Sequence, residues 1–216
     1  MTKYTLIDLS YPITDDMLVF PNTERPTFSW RGRVSSEGFN LTRMSMLVHT
    51  GTHADSPLHF ISDGQPIDEV PLSSFYGETR VFRSTKRPNS QEVMIADIME
   101  SEDEIEEGSI FVLETGIEIY AGTSDYNECF PVPSQELIEL LIRKRVRCYM
   151  TDATSIDHAD SKESENHKAI LGAGIPIVEN LKNLSKLPMK QSFVISAFPV
   201  LLAGREGSLC RAVALI

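Results

Sequence analysis

Cysteine is scarce in this chain of 216 residues: Cys129, Cys148 and Cys210 stand far apart and in no C-x-x-C spacing. That excludes a disulfide framework and a thiolate zinc clip, and it leaves three reduced thiols of the kind a cytosolic protein carries. Cations are also in deficit. Lys and Arg number 20 against 31 Asp and Glu, for a net charge of −11, which argues against a nucleic-acid partner, since such binding draws on clustered basic side chains. No run approaches the roughly 20 apolar residues of a membrane span, and the start Met1-Thr-Lys-Tyr-Thr-Leu-Ile-Asp has no long apolar core of a signal peptide. The expectation is a cytoplasmic protein with no membrane partner. Repeats are missing too, and only the acidic run from Glu100 to Glu107 is low in complexity; its density of like charge predicts a solvated surface.

What is present is ordinary globular stock. Hydrophobic residues make up 41% and charged residues 24%, enough for one packed core, so residues 1–216 are expected to form a single domain. Alternation predicts a strand over Tyr4 to Ser10, followed by a loop with Pro21 and Pro26 that could cover a site, and a strand from Leu41 running into His49. Ile110 to Thr115 reads as a buried strand. Ser134 caps a predicted helix with Leu137, Ile138, Leu140 and Leu141 as its apolar stripe, and Val146 to Asp152 follows as a strand. Ser164 is placed as the cap of a helix through Leu171, Ile175 to Val178 extends again, and Leu181 to Leu184 is expected to turn helically. Ser192–Ser196 and Arg211–Ile216 close the chain as strands. The class this order predicts is α/β, a mixed β-sheet with flanking helices.

The chemistry concentrates in His49-Thr-Gly-Thr-His53-Ala-Asp55-Ser-Pro57-Leu-His59. In an extended backbone His49, Gly51, His53 and Asp55 share one parity, so two imidazoles and a carboxylate project together, with Gly51 leaving room between them. Thr50, Gly51 and Thr52 are poor helix formers, which disfavours a helical i, i+4 metal site. Two His and one Asp suit a divalent ion such as zinc, with manganese or iron also compatible, and leave positions open for water. His59 is placed for proton transfer, or as a further ligand. His167 and Glu179 carry no assignment from pattern alone. Phe20, Trp30 and Phe60 are candidate pocket residues.

The motif resembles that of the cyclase family of metal-dependent hydrolases, which includes bacterial kynurenine formamidases and isatin hydrolases. Supporting matches are Glu114-Thr-Gly116, Thr151-Asp152 with Ser155-Ile-Asp157, and His167-Lys-Ala-Ile-Leu171 leading to Glu179-Asn-Leu181. The resemblance implies that His49, His53, Asp55, His167 and Glu179 hold one or two ions, usually zinc or manganese, while His59 moves protons. It also implies a swivelling β/β/α-type fold, a homodimer or homotetramer, and a small-molecule amide or formamide substrate. A cyclic amide such as isatin is the alternative substrate, and a metal-binding module without turnover the alternative function. Phe20-Pro21-Asn22-Thr23 stands where the formamidases carry Trp-Pro-Gly-Asp, and Ile117 where an aromatic follows Thr-Gly. These departures leave the metal chemistry intact and bear on the N-formylkynurenine assignment.

Overall fold

Ile110, Phe111, Val112 and Leu113 are all buried, yet their side chains enter two different apolar layers. Ile110 and Val112 pack with Phe75, Phe193 and Ile195 on one side, and Phe111 and Leu113 pack with Leu137, Ile138 and Leu141 on the other. The two-residue period of a strand thus feeds a sheet covered on both faces. The computed structural model describes residues 4–86, 88–89 and 91–216.

Along the chain, β1 (Leu6–Asp8) is followed by β2 (Thr27–Gly32), a one-turn helix α1 (Val34–Glu37) and β3 (Leu41–Ser45). Next come β4 (His53–Asp55), β5 (Tyr76–Thr79), β6 (Val81–Arg83), β7 (Glu92–Val93) and β8 (Ile110–Glu114). The second half runs α2 (Asp125–Glu128), β9 (Val132–Pro133), α3 (Gln135–Arg143), β10 (Cys148–Thr151), α4 (Glu165–Gly172) and β11 (Ile177–Glu179). It closes with β12 (Phe193–Ser196), β13 (Gly207–Leu209) and β14 (Val213–Leu215).

Among these residues the main sheet has the order β13-β4-β11-β10-β8-β6. Strands β6, β8, β10 and β11 run parallel, with α3 and α4 as crossovers, and β4 and β13 join antiparallel. A second sheet, β1-β14-β12-β5, packs on one face through Leu9, Phe75, Ile195 and Ala214. Helices α3 and α4 cover the other face through Leu137, Leu141, Ile170 and Leu171. The layers are therefore sheet, sheet, helix, the expected β/β/α arrangement. Helix α3 starts where the sequence says, with the Ser134 hydroxyl accepting from the Leu137 N–H at 3.3 Å.

Several local expectations need correction. The strand from Leu41 ends at Ser45 and pairs only with β2 as a hairpin, so the segment before the histidines is a turn. Ser164 sits at the start of α4 with φ +49° and no capping bond. Asp157 does that work instead, its carboxylate accepting from the backbone N–H of Asn166 at 2.9 Å and of His167 at 3.1 Å. Leu181 pairs across a β-bridge with Ser10, and the helical turn comes later, at Leu184–Lys186. Burial of Leu181 in the inter-sheet core overrides its weak local preference. The acidic run is solvated at Glu102, Asp103, Glu106 and Glu107, but Glu100 is buried and accepts from the Arg83 N–H. Among the described residues no helix is long and apolar enough to cross a membrane.

Candidate metal centre

His53 and Asp55 lie on the same face of β4, two residues apart, as strand parity requires. His49 reaches them by a different route. Gly51 takes φ +65°, a left-handed turn that an L side chain rarely adopts, and this folds His49 back over the strand. Its Nδ1 then lies 2.7 Å from Asp55 Oδ1. Pro57 opens a 3-10 turn that returns His59, whose ring stacks on that of His49 with centres 4.0 Å apart. Glu179 ends β11 directly opposite His53, an antiparallel pairing that sets its carboxylate 3.6 Å from His53 Nε2. His167, in the first turn of α4, completes the ring of donors at 3.4 Å from Glu179 and 3.8 Å from Asp55.

All six residues singled out in the sequence therefore converge. Donor atoms of His49, Asp55 and His59 lie within 4.8 Å of one another, and so do those of His53, Asp55 and Glu179. Asp55 belongs to both groups. Hydrogen bonds aim the rings: His53 Nδ1 donates to the Gly51 carbonyl at 2.8 Å, and His167 Nδ1 donates to Asp157 at 2.6 Å, turning both Nε2 atoms inward. Three buried atoms of these residues are left without a hydrogen-bond partner: His49 Nε2, Asp55 Oδ2 and Glu179 Oε1. Buried polar atoms are rarely left unpaired, and imidazoles and carboxylates facing one point are the donor set of a divalent cation. The residues fit such an ion.

Electrostatics agree with that reading. Burial opposes a charge on His53, yet the neighbouring Asp55 and Glu179 carboxylates push it up to about 9. Burial likewise opposes a charge on His167, which Asp157 and Glu179 raise to about 10. Asp55 is held well below the usual carboxylate range by His53 and His49, despite its burial, whereas burial and the nearby Asp55 push Glu179 up. His59 goes the other way. Burial, reinforced by His49 and His167, brings it down to about 4, so it stays neutral with a free lone pair at pH 7.

The site opens into a cavity of about 510 Å³. Tyr11, Met17, Leu18 and Phe20, from the loop that follows β1, form one wall, as a covering loop should. Phe60 and Phe20 line it; Trp30 does not, lying exposed on the β2–β3 hairpin beneath the Arg33 guanidinium. Pattern reasoning gave no role to Asp157 or Gly207. The first had a signal, an acid ten residues before His167 in Ser155-Ile-Asp157. The second had none: a Cβ on Gly207 would lie 2.6 Å from His49 Cε1, a contact that only the pairing of β13 with β4 creates.

Known proteins resemble this chain over nearly its whole length. A family model described as "Putative cyclase" matches residues 7–158. The chain belongs to the cyclase family. A kynurenine formamidase of Erythrobacter litoralis is 30% identical over 210 residues, covering 95% of this chain and 91% of its own length. One of Salinibacter ruber is 28% identical over 210 residues, covering 96% of each chain. Isatin hydrolase A from Labrenzia aggregata, solved with benzyl benzoate bound, superposes with a TM-score of 0.87 at 25% identity, covering 99% of this chain and 94% of that one.

Proposed function

We propose that residues 1–216 act as one catalytic domain, a metal-dependent hydrolase that cleaves an amide or formamide bond of a small aromatic molecule. The observation that carries this reading is the buried meeting of His49, His53, Asp55, His167 and Glu179, with three atoms unpaired, at the floor of a ligand-sized cavity. These five residues hold one or two divalent ions, zinc or manganese. When bound, such an ion acidifies a water and polarises a carbonyl.

The side chains supply the rest. His59 lines the cavity beside His49 and is neutral, so its ring nitrogen takes a proton from the attacking water and returns it to the leaving nitrogen as the C–N bond breaks. Asp157 keeps the His167 proton on Nδ1 and so keeps its Nε2 lone pair on the site. Phe60, tilted against the His167 ring at 4.7 Å, and Phe20 keep bulk water from the reacting face and offer an aromatic platform. A cyclic amide such as isatin is the second reading, favoured by the likeness to isatin hydrolase A.

Three free cysteines support a cytoplasmic setting. Phe28, Trp30, Phe39, Leu41 and Met44, all exposed on the β2–β3 hairpin, support a homodimer or homotetramer. The test is elemental analysis of the purified protein combined with a panel of formanilide, N-formylkynurenine and isatin. Hydrolysis of at least one of them, abolished by chelation and restored by zinc or manganese, is the expected result. Absence of bound metal, together with no turnover after reconstitution, overturns the proposal.

A further inference from the structure

Strand β11 ends at Glu179, and one more extended step would turn the next side chain to the opposite face. Asn180 instead takes φ +58°, a left-handed kink that asparagine tolerates better than most residues, and both side chains line the cavity. The main chain of Asn180 is fixed on both sides: its N–H donates to the Ala153 carbonyl at 2.9 Å, and its carbonyl accepts from the Thr52 hydroxyl at 2.6 Å. The side chain is fixed at one end only. The Tyr126 hydroxyl, shared between the Asp152 carbonyl at 3.0 Å and Asn180 Oδ1 at 3.3 Å, holds the amide oxygen. Among the described residues no acceptor meets the Nδ2 amino group, and the residue is only half-buried, open to the cavity. Thr154, next to the carbonyl that anchors Asn180, adds a buried hydroxyl without a partner to the same lining.

We infer that Asn180 is a substrate-binding residue of this site, its Nδ2 N–H donating to the carbonyl oxygen of the scissile amide; the inference rests on the amide hydrolase proposed above. Polar groups held in place without a partner are uncommon in folded proteins and mark sites where a ligand completes the bonding. Asn127, on the same lining, gives an amide N–H to the Val19 carbonyl at 2.8 Å, whereas the Asn180 amino group is uncommitted. Its position suits the task, because consecutive Cα atoms lie about 3.8 Å apart and the preceding residue is the ligand Glu179. The donor thus borders the metal centre, where the attacked carbonyl has to lie. As water adds to the carbonyl carbon, the π electrons of the C=O bond move onto the oxygen, and a donor already aimed there strengthens its bond without reorganising. The electron pair then returns, the C–N bond breaks, and the leaving nitrogen takes its proton from His59. An interaction that tightens as charge develops acts on kcat more than on KM.

The test uses two variants that keep the left-handed backbone: Asn180→Gly, which removes the side chain, and Asn180→Asp, which keeps its shape and an oxygen for Tyr126 but loses the N–H donors. On whichever of formanilide, N-formylkynurenine and isatin the zinc-loaded parent hydrolyses, both variants should lose about 10²- to 10³-fold in kcat, the scale of one donor to a developing oxyanion, with KM, zinc content and Tm little changed. A second readout does not depend on turnover. In the zinc-loaded His59→Ala protein saturated with that same substrate, the side-chain 15N–1H signals of Asn180 should shift as the amino group gains an acceptor. Unchanged kcat in both variants, or unshifted Asn180 signals, overturns this inference and leaves the proposed function standing. A loss of kcat that follows a loss of zinc also overturns it, since Asn180 would then act only by supporting Glu179. Turnover of no amide in the panel by the parent overturns the proposed function and this inference with it.

Discussion

Gly207→Ala places one methyl group where the structure has no room for it. The new Cβ would sit 2.6 Å from His49 Cε1 and 2.9 Å from the Ala54 carbonyl oxygen, whereas ordinary contact begins at 3.4 Å. The carbonyl belongs to the centre of β4 and cannot move, so the imidazole must retreat from 2.6 to 3.4 Å, about 0.8 Å. A shift of that size stretches the 2.7 Å contact between His49 Nδ1 and Asp55 to about 3.5 Å, beyond hydrogen-bond length. Loss of a ligand's orientation costs about 10- to 100-fold in metal affinity. Misplacement by about 1 Å at a reacting centre costs on the order of 100-fold in rate. Overpacking should also cost about 1–3 kcal/mol of stability, which for a chain of this size lowers Tm by about 2–4 °C per kcal/mol. Chelator competition, kcat/KM and thermal melts read the three effects. In a His49→Ala background the ring is gone, and the stability cost of the added methyl should shrink to what the Ala54 carbonyl alone imposes. A Gly207→Ala protein that binds metal, melts and turns over like the parent refutes the reasoning, as would an undiminished cost in the His49→Ala background.

Asp157→Asn removes the carboxylate that holds the His167 ring proton, so imidazole 15N shifts of the metal-free protein should show His167 titrating below its parent value of about 10, and metal affinity should fall about 10- to 100-fold, while an unchanged titration would remove Asp157 as a positioning residue. His59→Ala should keep its metal and lose about 10²- to 10⁴-fold in turnover, the scale of a general acid–base group; loss of metal in this variant makes His59 a ligand. The metal-free protein should be most stable below pH 6.5 and lose stability as pH rises toward 9 and 10, because His53 and His167 bind their protons more tightly folded than unfolded and surrender that advantage as they titrate. Melts of chelated protein from pH 6 to 10 check the sign, and the metal-loaded protein, whose ion replaces those protons, should show a flatter profile.

The sequence by itself determined the parts whose cause is local. The alternation through Ile110–Leu113 fixes a strand buried on both faces because side chains switch sides every residue, and Ser134 with its stripe of leucines and isoleucine fixes α3 because capping and amphipathicity act within a few residues. His53 and Asp55 share a face for the same reason. The tertiary structure alone decided what joins them. Residues 49 and 51 read as one extended run, but the left-handed turn at Gly51 is what brings His49 onto Asp55. His167 and Glu179 reach the site only because α4 and β11 pack beside β4, more than a hundred residues away in the chain, and hydrophobic periodicity holds no record of which strand becomes whose neighbour. The same holds for Gly207 against His49, since that contact depends on which surfaces the closed core turns toward each other.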